Sequence, residues 1–161
     1  MNKQILDIIS NNSRISTDDI AAMLNMTKDQ VESEIRKMED EKIICGYPTL
    51  INWDNTTTEK VTAIISLKVT PQRDMGFNKV AERIYKFDEV ESVYLMAGSS
   101  DITVIIEGKS MKEVSRFVTE KLSTLEYITS TETNFVLKKY KEHGIIMDDE
   151  KSESERMLIT P

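Results

Sequence analysis

The 161-residue sequence holds one cysteine, Cys45, one histidine, His143, three prolines and five glycines. A single cysteine cannot close an internal disulfide. With only one histidine beside it there is no ligand set of zinc-site spacing, so neither a metal nor a cofactor is expected. Scarce Pro and Gly in a chain that is 39% hydrophobic and 30% charged exclude low-complexity composition and point to a folded protein. No apolar run nears the roughly 18 residues of a membrane span, and Met1-Asn2-Lys3-Gln4 does not open a secretory leader. A cytoplasmic protein with no membrane partner is the expectation.

Positive charge is also in short supply. The net charge is −7, and its distribution is uneven: residues 1–55 carry 6 Lys/Arg against 10 Asp/Glu, residues 56–144 carry 13 against 13, and residues 145–161 carry 2 against 5. The basic patch that usually marks a nucleic-acid surface is missing. Any DNA contact must therefore come from local geometry and from a dimer that doubles the few cations present.

What is present is patterned. Ile5, Leu6, Ile8 and Ile9 recur at helical spacing until Asn11-Asn12-Ser13 ends the segment. Ser16 is an N-cap for a second helix with Asp18 and Asp19 in its first turn and Ile20, Ala21 and Leu24 on its buried side. Asn25, which tolerates the left-handed conformation, breaks that helix. Thr27 and Gln30 then form a capping-box signature for a third helix striped by Val31, Ile35 and Met38. Ile43-Ile44-Cys45-Gly46-Tyr47 reads as a short extended segment, with Cys45 a small buried apolar residue. Tyr47 and Trp53, near the linker, are expected to pack the modules together.

Past residue 56 the period changes from 3.6 to 2. Val61, Ala63, Ile65, Leu67 and Val69 alternate with polar residues as a half-buried strand, and Phe77, Val80, Ala81 and Ile84 return to helical spacing. Two strands, Val93 to Ala97 and Ile102 to Ile106, flank the turn Gly98-Ser99-Ser100-Asp101 and must be antiparallel. Val114, Phe117, Val118 and Leu122 give another helix, and Ile128 to Leu137 a fourth strand. The order βαββαβ closes as an antiparallel sheet with both helices on one face. Outward Ile64, Tyr94 and Met96 on the other face suit self-association. The expected fold class is α+β, with a helix-turn-helix domain over 1–52, a linker over 53–60, an oligomerisation domain over 61–144 and an acidic tail over 145–161. Met157, Leu158 and Ile159 at the end can dock on a neighbour.

Two helices that cross steeply need a small residue at the contact, a chain reversal and a β-branched anchor, and Ala21, Asn25 and Val31 supply these. With Val31, Ile35 and Met38 turned inward, the third helix offers Gln30 and Ser33 to base edges and Lys28, Arg36 and Lys37 to phosphates of double-stranded DNA. Each of these side chains also fits a plain solvated helix face.

The chain resembles the Lrp/AsnC, or feast/famine, regulators along nearly its whole length. The resemblance runs through Ile5-Leu6, Arg14-Ile15-Ser16, Ile20-Ala21, Val31, Ile35, Glu39 and Ile43-Ile44-Cys45-Gly46-Tyr47. It resumes at Gly98 and Asp101 before an apolar strand and ends at Thr131-Glu132-Thr133 before Val136-Leu137. It implies a winged-type helix-turn-helix joined to a ferredoxin-like ligand-sensing domain, dimers that build tetramers or octamers, and amino acids as common effectors. A free amino acid needs a carboxylate for its ammonium and NH or hydroxyl donors for its carboxylate. Asp101, the Gly98 backbone, Ser100, and Thr131 or Thr133 match that need, and the resemblance places the effector at this turn between neighbouring dimers. The sequence departs from the family in carrying Ser99 and Ser100 where a larger residue often stands. Asp101 as a simple turn cap, with the threonines ordinary strand residues, stays open.

The leading expectation is thus a DNA-binding transcriptional regulator modulated by a small metabolite, not an enzyme. One alternative is a sensing and oligomerisation module whose acidic head no longer binds DNA. The other is an enzyme similar to sirohaem decarboxylases, which share the two-module arrangement; against it, that chemistry wants histidines and arginines beside a tetrapyrrole carboxylate.

Overall fold

The computed structural model describes residues 2–70 and 76–147. The docking role of Met157, Leu158 and Ile159 and most of the acidic tail lie outside the described residues. The chain divides into two compact units, Met1–Thr49 and Leu50–Pro161.

The first unit is three helices, α1 (Lys3–Asn11), α2 (Thr17–Leu24) and α3 (Lys28–Asp40). Each starts on a side chain that satisfies N–H groups the helix itself leaves orphaned, a contribution of about 1 kcal/mol apiece. Asn2 Oδ1 accepts from Gln4 and Ile5, Ser16 Oγ from Asp19, and Thr27 Oγ1 from Gln30. The core is Ile5, Ile20, Ala21, Val31 and Met38, ringed by Leu6, Ile8, Ile9, Leu24, Ile35 and Ile44.

Helix α3 ends where Lys42 takes a φ of 57° and the Ile43 and Ile44 N–H groups turn back to the Met38 carbonyl. Residues 43–47, expected to be a short extended segment, form no strand. Only Ile44 packs on the helical core, because three helices already close so small a unit and the chain leaves it there. Cys45, expected to be buried, is exposed, its S–H donating to the Lys42 carbonyl.

The second unit is β1 (Val61–Val69), α4 (Gly76–Ile84), β2 (Val90–Leu95), β3 (Ile102–Gly108), α5 (Met111–Phe117), β4 (Ile128–Phe135), β5 (Lys141–Glu142) and β6 (Ile145–Ile146). The main sheet has the order β2-β3-β1-β4, antiparallel throughout. Ala63, Ile65, Leu67 and Val69 of β1 and Ile102, Val104 and Ile106 of β3 bury one face against Val80 and Ile84 of α4 and Val114 and Phe117 of α5. A π-helical turn, Val118–Leu122, continues α5 and adds Val118 and Leu122 to that core. Residues paired directly across antiparallel strands share a face. The register Ile64 to Ile105 and Tyr94 to Thr103 therefore defines the opposite, open face. There Ile64 is 38% and Tyr94 50% exposed, with Met96, just past β2, at 45%.

Two strand limits differ from the sequence reading. Strand β2 runs Val90–Leu95, earlier than Val93 to Ala97, with a register shift between Val90 and Ser92. Strand β4 stops at Phe135, two residues short of the expected Leu137. Phe135 faces Ala63, Val136 N–H makes one more bond to the Thr62 carbonyl, and Leu137 is left 88% exposed. His143 sits in a two-residue turn between β5 and β6. His143 and Gly144 both have positive φ, 48° and 82°, the combination a tight hairpin turn requires.

Candidate functional site

Helix α3 is presented by a three-residue connection from α2. Asn25 adopts the left-handed conformation, φ 52° and ψ 44°, and Met26 N–H bonds to the Ala21 carbonyl at 2.9 Å, reversing the chain before Thr27 caps α3. Val31 and Met38 are buried, so Lys28, Gln30, Ser33, Arg36 and Lys37 are all exposed on the remaining surface.

Those five side chains are not equally available. Gln30 Oε1 accepts from Thr27 N–H at 2.9 Å, completing the capping box, which leaves its NH2 group to face outward. Lys28 Nζ donates to Asp18 Oδ2 at 2.8 Å, joining the first turn of α3 to that of α2. Hydrogen bonding to Asp18 raises the Lys28 pKa above its usual value, helped by attraction to the same carboxylate, opposed by desolvation and helped less by Glu32 and Asp29. Thr17 donates to Glu32 Oε1 at 3.2 Å, a second tie between α2 and α3. At the far end of α3, Tyr47 O–H donates to Glu39 Oε1 at 2.7 Å. Desolvation and that bond push the phenol up to about 12. Sequence reasoning did not find the Asp18 partnership, since ten residues and a helix break separate the pair and no local spacing signals it.

The expected effector residues fall into two groups. Gly98, Ser100 and Asp101 lie on the β2–β3 connection at the end of β1. Asp101 is committed structurally: its Oδ2 accepts from Val69 N–H at 2.9 Å, its N–H donates to the Leu67 carbonyl, and its carbonyl accepts from Met96 N–H. Thr131 and Thr133 lie on β4, opposite Leu67 and Ile65, and so share the helix-covered face, half-buried at its edge. Strand β1 separates the groups, and strands two apart in a sheet are roughly 10 Å from each other. Asp101 and the threonines therefore do not converge within one chain. Trp53, expected between the modules, lies half-buried within the second unit with Lys60 Nζ 4.4 Å from its ring centre.

A shallow cleft occupies the other end of this sheet, lined by Asn52, Trp53, Lys60, Glu107, Lys139 and Met147 among others. Its charges compensate each other: Lys60 pairs with Glu107, and Lys139 lies between Glu107 and Glu142. Asn52 Nδ2 donates to the Met147 carbonyl, tying the start of the unit to the residue after β6. Among the described residues no group of three His, Cys, Asp or Glu could hold a metal ion, and no helix is long and apolar enough to cross a membrane.

Comparison with known proteins gives this geometry its context. A family profile described as the Lrp/AsnC ligand binding domain matches residues 62–146, and one described as winged helix-turn-helix DNA-binding matches residues 2–44. The chain is 48% identical to the uncharacterised HTH-type transcriptional regulator YugG of Bacillus subtilis, over 98% of this chain and 95% of that protein. Among solved structures it is similar to Escherichia coli AsnC, with a TM-score of 0.66 at 21% identity, covering 86% of this chain and 91% of that one. It is also similar to a feast or famine regulatory protein of M. tuberculosis complexed with L-methionine, with a TM-score of 0.71 at 18% identity, covering 87% and 92%. The names are those of transcriptional regulators, which removes the decarboxylase reading. With a helix-turn-helix ahead of the ligand-binding domain, the chain belongs to the Lrp/AsnC family of DNA-binding transcriptional regulators.

Proposed function

We propose that this regulator, working in the cytoplasm, reads specific DNA sequence with α3 and that an amino acid or related small metabolite modulates it from the second unit. The observation that carries the first half is the exposed row on α3. Ser33 and the free NH2 of Gln30 suit base edges, and Lys28, Arg36 and Lys37 suit phosphates. A dimer formed through the open sheet face, and assembling further to tetramer or octamer, supplies the second copy of α3 that so small a set of cations needs. Its support is the exposure of Ile64, Tyr94 and Met96 on one face.

The separation of Asp101 from Thr131 and Thr133 across β1 supports an effector site shared between copies. One chain brings the Gly98, Ser100 and Asp101 turn, and a neighbour closes over it. The methionine complex of the M. tuberculosis relative makes an amino acid the first ligand to try. The test is fluorescence anisotropy with the protein's own upstream DNA at about 50 mM salt, with and without single amino acids. Arg36→Gln is expected to weaken binding to all sequences alike and lower the salt slope by about 1, whereas Ser33→Ala relaxes discrimination between sequences. Unchanged binding in both variants removes α3 as the reading element.

A further inference from the structure

The most forward cation of α3 is already engaged. Lys28 stands at the first position of the helix, where its ammonium is best placed to meet a phosphate, yet it donates to Asp18 Oδ2 at 2.8 Å. The pair is solvent-facing, with side-chain exposures of 50% for Lys28 and 66% for Asp18, so it is not buried scaffolding. Asp29 and Glu32 add to the negative field around the same ammonium. Glu32 is held in place by Thr17, which neighbours Asp18 on α2. One carboxylate of α2 thus contacts the lysine, with two of α3 attracting it more weakly, on the surface proposed to read DNA.

We propose that Asp18 is an affinity-setting residue for DNA: it competes with backbone phosphate for Lys28, so the free protein holds this cation in reserve and sequence-independent binding is kept weak. This rests on the reading of α3 as the DNA-facing helix. A phosphate must displace a formed, charge-assisted hydrogen bond and approach a carboxylate that is left behind unpaired. Each protein cation that does engage releases a counterion from DNA and steepens the salt dependence. A Lys28 retained by Asp18 releases none.

The experiment is a double-mutant cycle read by DNA anisotropy over a range of salt concentrations, using full-length wild type, Asp18→Asn, Lys28→Gln and the double variant. Arg36→Gln serves as an independent marker of the α3 surface. Asp18→Asn is expected to tighten binding by about twofold to fivefold for each engaged helix, the range set by an exposed ion pair. The slope of log K against log salt steepens by about 0.9 per helix. In the Lys28→Gln background the same substitution gives a clearly smaller gain and leaves the slope unchanged. Thermal unfolding of each variant shows that the helical unit stays folded.

An equal gain in both backgrounds means that Asp18 acts only as one more negative charge, and that overturns the proposal. So does an Asp18→Asn variant that binds like wild type while Arg36→Gln weakens binding. If neither Lys28→Gln nor Arg36→Gln affects wild-type binding, α3 is not the DNA-facing helix, and both that reading and this proposal fall together.

Discussion

Asp101 is the residue on which a structural role and the proposed sensing role meet, and substitution separates them. Its Oδ2 accepts from Val69 N–H at 2.9 Å while its own backbone bonds to Leu67 of β1 and Met96 beside β2. Val69 is itself buried and sits at a register shift in the β1–β4 ladder, so the carboxylate serves an N–H at an irregular point of the sheet. Hydrogen bonds to a charged acceptor contribute about 1.5 to 3 kcal/mol, and the half-exposed position of Asp101 places it toward the lower end. Asp101→Ala is expected to cost about 2 kcal/mol, which at about 4 °C per kcal/mol lowers the melting temperature of the second unit by about 8 °C. Asp101→Asn keeps an acceptor oxygen at the same reach and exchanges a charged bond for a neutral one, so roughly half that loss is expected. Calorimetry of the full chain measures both. Titration of each variant with amino acids reads the other role, because only the aspartate can pair with an ammonium, and Asp101→Asn abolishes the response while remaining folded. An Asp101→Ala protein melting within about 2 °C of wild type, or an asparagine variant as damaged as the alanine one, refutes the assignment of this carboxylate to Val69.

Two further outcomes follow from the first unit. Thr27→Ala removes the hydroxyl half of the capping box on α3, keeping the backbone N–H that Gln30 accepts, and is expected to cost about 1 kcal/mol in urea unfolding of the helical unit. In an alkaline absorbance titration, one phenol ionises near 12 and its step disappears in Tyr47→Phe. Because the folded value lies above the ordinary one of 10, the contact with Glu39 supports the fold fully below pH 10 and is lost as pH rises through about 12.

What could be read from the sequence divides by the range of the interaction that fixes it. Ser16, Asn25 and Thr27 were legible because caps and left-handed turns are decided within four residues. The order βαββαβ was legible because a change from period 3.6 to period 2 needs no knowledge of partners. The end of β4 was not, since it depends on pairing with β1, some 70 positions earlier in the chain. The hairpin at His143-Gly144 escaped notice because its strands are two residues each, too short to show any alternation. The reading of Cys45 as a small buried apolar residue rests on residue type alone, and the residue is exposed just past the end of α3. At the candidate sites, composition indicated which side chains could touch DNA, but only the folded chain reveals that Lys28 and Gln30 are already partly spent.

If α3 reads DNA as proposed, that partial commitment accounts for how an acidic chain can do so. Helix α3 carries Lys28, Arg36 and Lys37 against Asp29, Glu32, Glu34, Glu39 and Asp40, a net negative rod. Phosphate attraction supplies nearly all sequence-independent binding, so a rod of this kind holds onto random DNA weakly. Contacts to base edges are left to decide where the protein rests. Pinning Lys28 to Asp18 and Glu39 to Tyr47 arranges the charges without changing their total. Two such helices presented together by a dimer add their binding free energies on a correctly spaced site and gain almost nothing on an incorrect one. On that proposed arrangement low positive charge becomes a source of discrimination, at the cost of requiring the second copy. The prediction that separates this from simple loss of DNA binding is a shallow salt slope combined with a large ratio of specific to non-specific affinity.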